Sequence, residues 1–271
     1  MILVTGANGQ LGNELKILLS DAIFTDVADL DICDFAAVQS FVKENNVDII
    51  INCAAYTAVD KAEDDIELAT KINVDGPENL AKSGAKIIHV STDYVFDGLG
   101  YRPYKPEDEA QPNSVYGKTK LAGEQAVLNN ANTAIIIRTA WLYSFFGNNF
   151  VKTMLRLGAE KESIGVVADQ IGTPTYAGDL AQAIVEILPQ IKEGQKDVYH
   201  FSNEGVASWY DFAVEILKDL QCVVNPISTE DYPTRAKRPF YSVLDKTKIK
   251  KDFNIKINHW KKGLEKCLSQ F

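Results

Sequence analysis

The chain has 271 residues, with 28 Lys+Arg against 37 Asp+Glu and a formal net charge of −9. Hydrophobic residues make up 46% and charged residues 24%, which supplies a sizeable core and excludes a disordered or fibrous chain. The acidic surplus excludes a non-specific nucleic-acid binder, and no run approaches the ~18 apolar residues of a membrane helix.

The N-terminal half alternates short apolar runs with helical periodicity. Strands are expected at 2–4, 22–25, 47–52, 86–91 and 134–138. Between them, residues 10–19 read as a helix with Leu11, Leu15, Leu18 and Leu19 on one face, and 35–44 as a helix with Val38, Phe41 and Val42 inward. Residues 66–83 read as one long helix and 115–129 as another. Strands alternating with helices imply an α/β fold, a doubly wound parallel sheet of Rossmann type. After about residue 145 the rhythm changes. Pro-bearing and aromatic segments interrupt helices at 178–188, 208–220 and 259–268. The expected division is a dinucleotide-binding domain at 1–145. Residues 146–271 then form a smaller substrate lobe, with some segments returning to the N-terminal sheet.

Cys33, Cys53, Cys222 and Cys267 lack CxxC spacing, so neither a disulfide framework nor a metal site is expected, and a reducing cytoplasm suits the chain. The opening Met1-Ile2-Leu3-Val4 reads as a strand rather than a secretory leader. His89 and His200 fall in strand-like runs and are expected as core histidines.

The first strand runs directly into Gly6-Ala7-Asn8-Gly9-Gln10-Leu11-Gly12 and a helix. Glycines there permit a tight turn and a close backbone approach, and the helix N-terminus offers free N–H groups to a pyrophosphate. Asp26 ends the second strand, where a carboxylate accepts from ribose hydroxyls; no Arg or Lys lies between it and Asp34, which favours NADH over NADPH. Asp31 and Ile32 follow in the adenine region. Ala54, Ala55, Tyr56 and Thr57 follow the third strand, where small residues let a cofactor lie against the backbone. The fourth strand delivers Ser91-Thr92-Asp93-Tyr94 to the same edge. Tyr116 and Lys120 are then spaced i and i+4 on one helix face. A phenol is a poor acid or base at neutral pH, and a nearby ammonium lowers its pKa. Y-x-x-x-K alone is also common on solvated helix faces. With the glycine turn and the hydroxyl-bearing strand end, it points to proton exchange with a carbonyl or alcohol oxygen.

These stretches, with Arg138-Thr139-Ala140-Trp141-Leu142-Tyr143, ADQIGTPT at 168–175 and RPFYSVLD at 238–245, resemble the extended short-chain dehydrogenase/reductases, and within them the dTDP-4-dehydrorhamnose reductase family. The resemblance implies a cytoplasmic enzyme that reduces a 4-keto dTDP-sugar with NADH or NADPH, in nucleotide-sugar and polysaccharide biosynthesis. It implies that Thr92, Tyr116 and Lys120 are catalytic. Gly6, Gly9, Gln10, Leu11, Gly12, Asp26, Asp31, Ile32, Ala54, Ala55, Tyr56, Thr57, Tyr116 and Lys120 are implied to hold the dinucleotide. Thr92, Asp93, Tyr116 and Trp141 are implied to hold the sugar nucleotide. The segment after Trp141, LYSFFGNN, is more aromatic than the family pattern. The cluster Arg235, Lys237 and Arg238, flanked by Pro233 and Pro239, is expected to send at least one cation, Arg238 above all, to the substrate diphosphate. No metal, membrane or nucleic acid is called for, and a homodimer is compatible with this reading. An epimerase or dehydratase shares the motifs, but Asp93-Tyr94 after Thr92 differs from the Asp-Glu pair of dehydratases. The regulatory subunit of methionine adenosyltransferase also resembles this chain; an intact Thr92, Tyr116 and Lys120 argues for catalysis instead.

Overall fold

Apolar runs too short for helices pair side by side along the whole N-terminal half. The computed structural model describes residues 1–271. Strands β1 (Ile2–Thr5), β2 (Ile23–Thr25), β3 (Ile49–Asn52), β4 (Lys86–Thr92) and β5 (Ala134–Thr139) form a parallel sheet, completed by the strand Lys196–His200 from the second half of the chain. The spatial order is Lys196–His200, β5, β4, β3, β1, β2. Both faces are covered, so successive residues are buried in opposite layers. Leu3, Ile50, Ile87 and Ile136 pack under helices Phe35–Glu44, Gly76–Lys82 and Val115–Asn130, while Val4, Ile51, Ile88 and Ile137 pack under helices Gln10–Leu18 and Ala177–Ile187.

Three expectations need correction. Leu18 is 40% exposed. Its helix ends there, and Leu19, with non-helical φ −120° and ψ 76°, turns toward the core in its place. The long helix expected at 66–83 is broken into Ile66–Thr70, a π-helical turn Lys71–Asp75 and Gly76–Lys82. Pro77 explains the break: it has no N–H for the ladder and its ring crowds the preceding turn, so the spacing widens. The widened turn places Asn73 in the interior, where its amide bonds both backbone groups of Tyr56 and the Thr119 hydroxyl. An additional helix, Phe150–Glu160, begins where the Asn149 side chain accepts from the Lys152 backbone N–H. With helices Trp209–Ile216 and Trp260–Leu268 and the parallel strands Ser163–Val167 and Val223–Ile227, it forms a second lobe with its own core, including Met154, Phe212 and Trp260.

The helix Val115–Asn130 is tied to the sheet by a buried ion pair. The Arg138 guanidinium on β5 donates Nε to Glu124 at 2.9 Å and Nη2 at 2.7 Å, and the Ser91 hydroxyl on β4 donates to the same carboxylate. Glu124 and Arg138 are 1% and 5% exposed, so neither charge can turn to water if its partner is lost. The Arg138→Met variant is therefore expected to lose about 3–5 kcal/mol of unfolding free energy. Urea titration followed by circular dichroism measures this; a loss below about 1 kcal/mol, the size of an exposed pair, refutes it.

Candidate active site

The chain reverses its direction of winding between β1 and β3, and a crevice opens there at the carboxyl ends of the strands. Gly6, at φ +69°, bridges it so closely that a Cβ would stand 2.6 Å from the Ala54 nitrogen. A Cβ on Gly12 would stand 2.5 Å from the Gly6 carbonyl oxygen. Gly9 precedes the first helix with no side chain capping its opening turn, which leaves that turn's N–H groups to the cleft. Asp26 stands at the end of β2, accepting from the backbone N–H groups of Asn8 and Val27.

A cleft of about 700 Å³ runs from this turn across the strand ends to the second lobe. Its walls include Gly6, Gly9, Gln10, Leu11, Gly12, Asp26, Asp31, Ile32, Ala54, Ala55, Thr57, Thr92, Asp93, Tyr116, Lys120, Trp141 and Arg238. Tyr56 is not among them. Its phenol is turned to Asp65, and its backbone is held by Asn73. The two other cations of the C-terminal cluster also lie away from the cleft: Arg235 pairs with Asp64 at the surface, and Lys237 is exposed.

Ser114 caps the helix that carries Tyr116 and Lys120, accepting from the Gly117 N–H. A Cβ on Gly117 would stand 2.2 Å from the Tyr94 carbonyl, so the helix start is pressed against the end of β4. Tyr116 thereby lies edge-on to Tyr94 and close to the Thr92 hydroxyl. Burial drives the Tyr116 phenol above its usual pKa, and the Thr92 hydroxyl opposes the shift. Lys120 is not hydrogen-bonded to the phenol. Its ammonium nitrogen instead donates to the Val90 carbonyl at 2.8 Å and lies 3.3 Å from His89 Nε2. Both histidines expected in the core are fully buried.

The far wall joins Trp141 and Arg238, both expected at the site, to Trp209, Gly147 and Asn148, which carried no site expectation. Trp209 stacks on Trp141 with ring centroids 3.6 Å apart and planes 8° from parallel. Trp141 adopts φ +48°, rare for a bulky residue, and Gly172 makes room for its indole; a Cβ there would stand 2.6 Å from the ring. Gly147 and Asn148 also line the cleft. Arg238 reaches it from the second lobe, donating to the Tyr94 hydroxyl at 2.9 Å and to Asp60 at 2.7 Å. No helix is long and apolar enough to cross a membrane.

The profile of the RmlD substrate binding domain family matches residues 1–271. A dTDP-4-dehydrorhamnose reductase of Aggregatibacter actinomycetemcomitans is 44% identical, the match covering 97% of each chain. Among solved structures, a dTDP-4-dehydrorhamnose reductase of Clostridium acetobutylicum superposes with a TM-score of 0.94 at 44% identity, over 99% of this chain and 98% of that one. A Bacillus anthracis dTDP-4-dehydrorhamnose reductase, solved in complex with NADP, superposes with a TM-score of 0.95 at 41% identity, over 100% and 99%.

Asp93 is the strained group of the site. It is 2% exposed, and its Oδ2 has no hydrogen-bond partner. Burial lifts its carboxyl from 3.8 to about 6. The folded protein thus holds this proton more tightly than the unfolded chain, and Asp93 costs stability above about pH 6, a cost that disappears below about pH 4. Asp93→Asn is expected to be more stable than the parent at pH 7.5 by about 1–3 kcal/mol, with the gain shrinking as pH falls through that window. Thermal unfolding of both proteins across this pH range tests it; a gain independent of pH would mean that the Asp93 charge is not its source.

Proposed function

Because this chain belongs to the dTDP-4-dehydrorhamnose reductase family, we propose that it reduces the 4-keto group of dTDP-4-dehydro-L-rhamnose to give dTDP-L-rhamnose, using NADH or NADPH. The reaction belongs to nucleotide-sugar supply for polysaccharide synthesis. The observation that carries the reading is the convergence of Thr92, Tyr116 and Lys120 in one cleft with the glycine turn. Four free cysteines suit the reducing cytoplasm.

The residues fit a nicotinamide dinucleotide. Gly6 and Gly12 leave the turn without Cβ atoms, and the uncapped helix start can receive a pyrophosphate. Asp26 and Asp31 line the cleft at the end where the adenosine ribose belongs, with Ile32 beside them. When bound, the dinucleotide supplies the hydride. Tyr116, kept protonated by burial, donates its phenolic proton to the oxygen developing at C4, and Thr92 stabilises charge on that oxygen. Lys120 lies along the same wall to hold the nicotinamide ribose. Asp93 and Trp141 border the sugar, and Arg238 is placed to receive the diphosphate with a planar fork. Residues 1–145 supply most of the cofactor wall, and residues 146–271 supply the Trp209 and Arg238 side of the substrate wall.

Supplying the purified protein with NADH or NADPH and the 4-keto sugar nucleotide, and following the nicotinamide absorbance, tests the reaction. An epimerase or dehydratase would turn over without stoichiometric cofactor oxidation. Tyr116→Phe, which removes only the hydroxyl, is expected to lower kcat by ~10²–10⁴-fold and leave the Kd for the cofactor unchanged. A variant with near-parental kcat rejects Tyr116 as the acid.

The cations lining the cleft are Lys120 and Arg238, and neither is near Asp26 in sequence or on its strand. A 2′-phosphate beside Asp26 would meet a carboxylate with no compensating cation on that stretch. NADH is therefore expected to give a kcat/KM at least equal to that of NADPH; a strong NADPH preference would contradict the role given to Asp26.

A further inference from the structure

Lys120 is 2% exposed and takes part in no ion pair, although a carboxylate lies one helical turn away. Both oxygens of that carboxylate, Glu124, are committed to Arg138 and Ser91. The Cys53 thiol, at the end of β3, is lifted to about 12 by burial and supplies no anion at neutral pH. Tyr116, on the same helix, is held in its neutral form. The remaining titratable neighbour is His89 on β4, 3.3 Å from the lysine nitrogen.

The protonation of His89 follows from its other nitrogen. The Ala54 backbone N–H donates to Asn52 Oδ1 at 3.1 Å, and the Thr5 hydroxyl donates to the same oxygen at 2.8 Å. An amide N–H can only donate, so this fixes which end of the Asn52 side chain is oxygen. Its NH₂ then faces His89 Nδ1 at 2.9 Å. Nδ1 must accept, so the one proton of the neutral ring sits on Nε2, pointing at Lys120. An imidazolium would place a second donor against the Asn52 amide, and burial together with the Lys120 charge holds the ring well below its usual pKa. A neutral amine at Lys120 satisfies this geometry: it accepts from His89 Nε2–H, donates to the Val90 carbonyl and keeps an N–H for the cleft. An ammonium, which only donates, opposes the His89 N–H.

We infer that His89, locked in its Nε2–H tautomer by Asn52, is a positioning residue that disfavours the charged form of Lys120 and lets the occupant of the cleft set that charge. Burial acts in the same direction and brings the Lys120 value down to about 8. An anionic ligand that favours the ammonium would then be bound with proton uptake, and its affinity would fall as pH rises through that value. The consequence for turnover rests on the function proposed above; the titration itself is a property of the protein without ligand.

The test uses that ligand-free protein. With ¹³C-labelled lysine, the Lys120 Cε resonance, assigned by its loss in Lys120→Met, is expected to titrate near 8 in the parent. His89→Gln can offer its carbonyl to Asn52 and its N–H to Lys120, and is expected to keep that titration. His89→Leu removes the opposing donor and is expected to move it upward by on the order of one unit. An ordinary lysine titration in the parent, or an unmoved one in a folded His89→Leu, overturns the inference. Should His89→Leu not fold, ¹⁵N spectra of the parent still decide: a neutral Nε2–H ring supports it, and an Nδ1–H tautomer or an imidazolium at neutral pH overturns it.

Discussion

The seating of one helix against the end of one strand governs the site. Val115–Asn130 meets its neighbours at two glycines: a Cβ on Gly117 would stand 2.2 Å from the Tyr94 carbonyl, and one on Gly123 would stand 2.0 Å from the Asn73 carbonyl. Glycine within a helix costs roughly 0.5–1 kcal/mol relative to alanine. Here it permits backbone contact on both sides, and the Glu124–Arg138 pair fixes the helix along its axis. Tyr116 and Lys120 then have little freedom in where they enter the cleft. The π-helical turn serves the same contact, because it delivers Asn73 to Thr119 on this helix and to the backbone of Tyr56 beyond β3.

What could be read in advance depended on how local its cause was. The N-terminal strands and their helices follow from hydrophobic period alone, and the glycine turn from its place between a strand and a helix. The Lys196–His200 strand was harder, since its sequence KDVYH is half polar and belongs to the sheet only because β5 offers an edge. The pairs Leu142–Tyr143 with Thr175–Tyr176 and Ile171–Gly172 with Ala207–Ser208 are two residues long and carry no periodic signal. The helix at Phe150–Glu160 did carry one, in the Asn149 cap and the inward-facing Val151 and Met154. Among the site residues, the i, i+4 spacing correctly put Tyr116 and Lys120 on one face. It said nothing of where the lysine nitrogen points, because Val90 and His89 come from another strand. Trp209 was invisible for the same reason: its place on the wall depends on Trp141, in a distant segment, adopting a left-handed backbone.

Charge in this protein is arranged against its average. The chain is strongly acidic, yet its cleft carries two cations, each differently restrained. Arg238 is held by Asp60 and the Tyr94 hydroxyl, so its guanidinium is oriented before any ligand arrives. A diphosphate bound there, as proposed, would compete with Asp60 for a fork already in place and would cost less side-chain entropy. Lys120 faces a carbonyl and a locked imidazole, with no carboxylate available to it.

The polar groups left without partners add to this picture. Asp93 Oδ2 and Thr139 Oγ1 are buried, unpaired and part of the cleft wall. Elsewhere in the interior Asn52, Asn73 and Asn203 are satisfied by their amide bonds, while Thr25 Oγ1, Tyr143 Oη, Thr175 Oγ1 and His200 Nε2 are also without partners. An unpaired buried polar group typically costs about 1–3 kcal/mol. Of these groups Asp93 is the one carboxyl, and it stands near Tyr116 and the Thr92 hydroxyl, where a hydroxyl-bearing ligand would supply its missing bond. The close contacts at Gly117 and Gly123 and the Glu124–Arg138 pair hold the helix of Tyr116 against the end of β4.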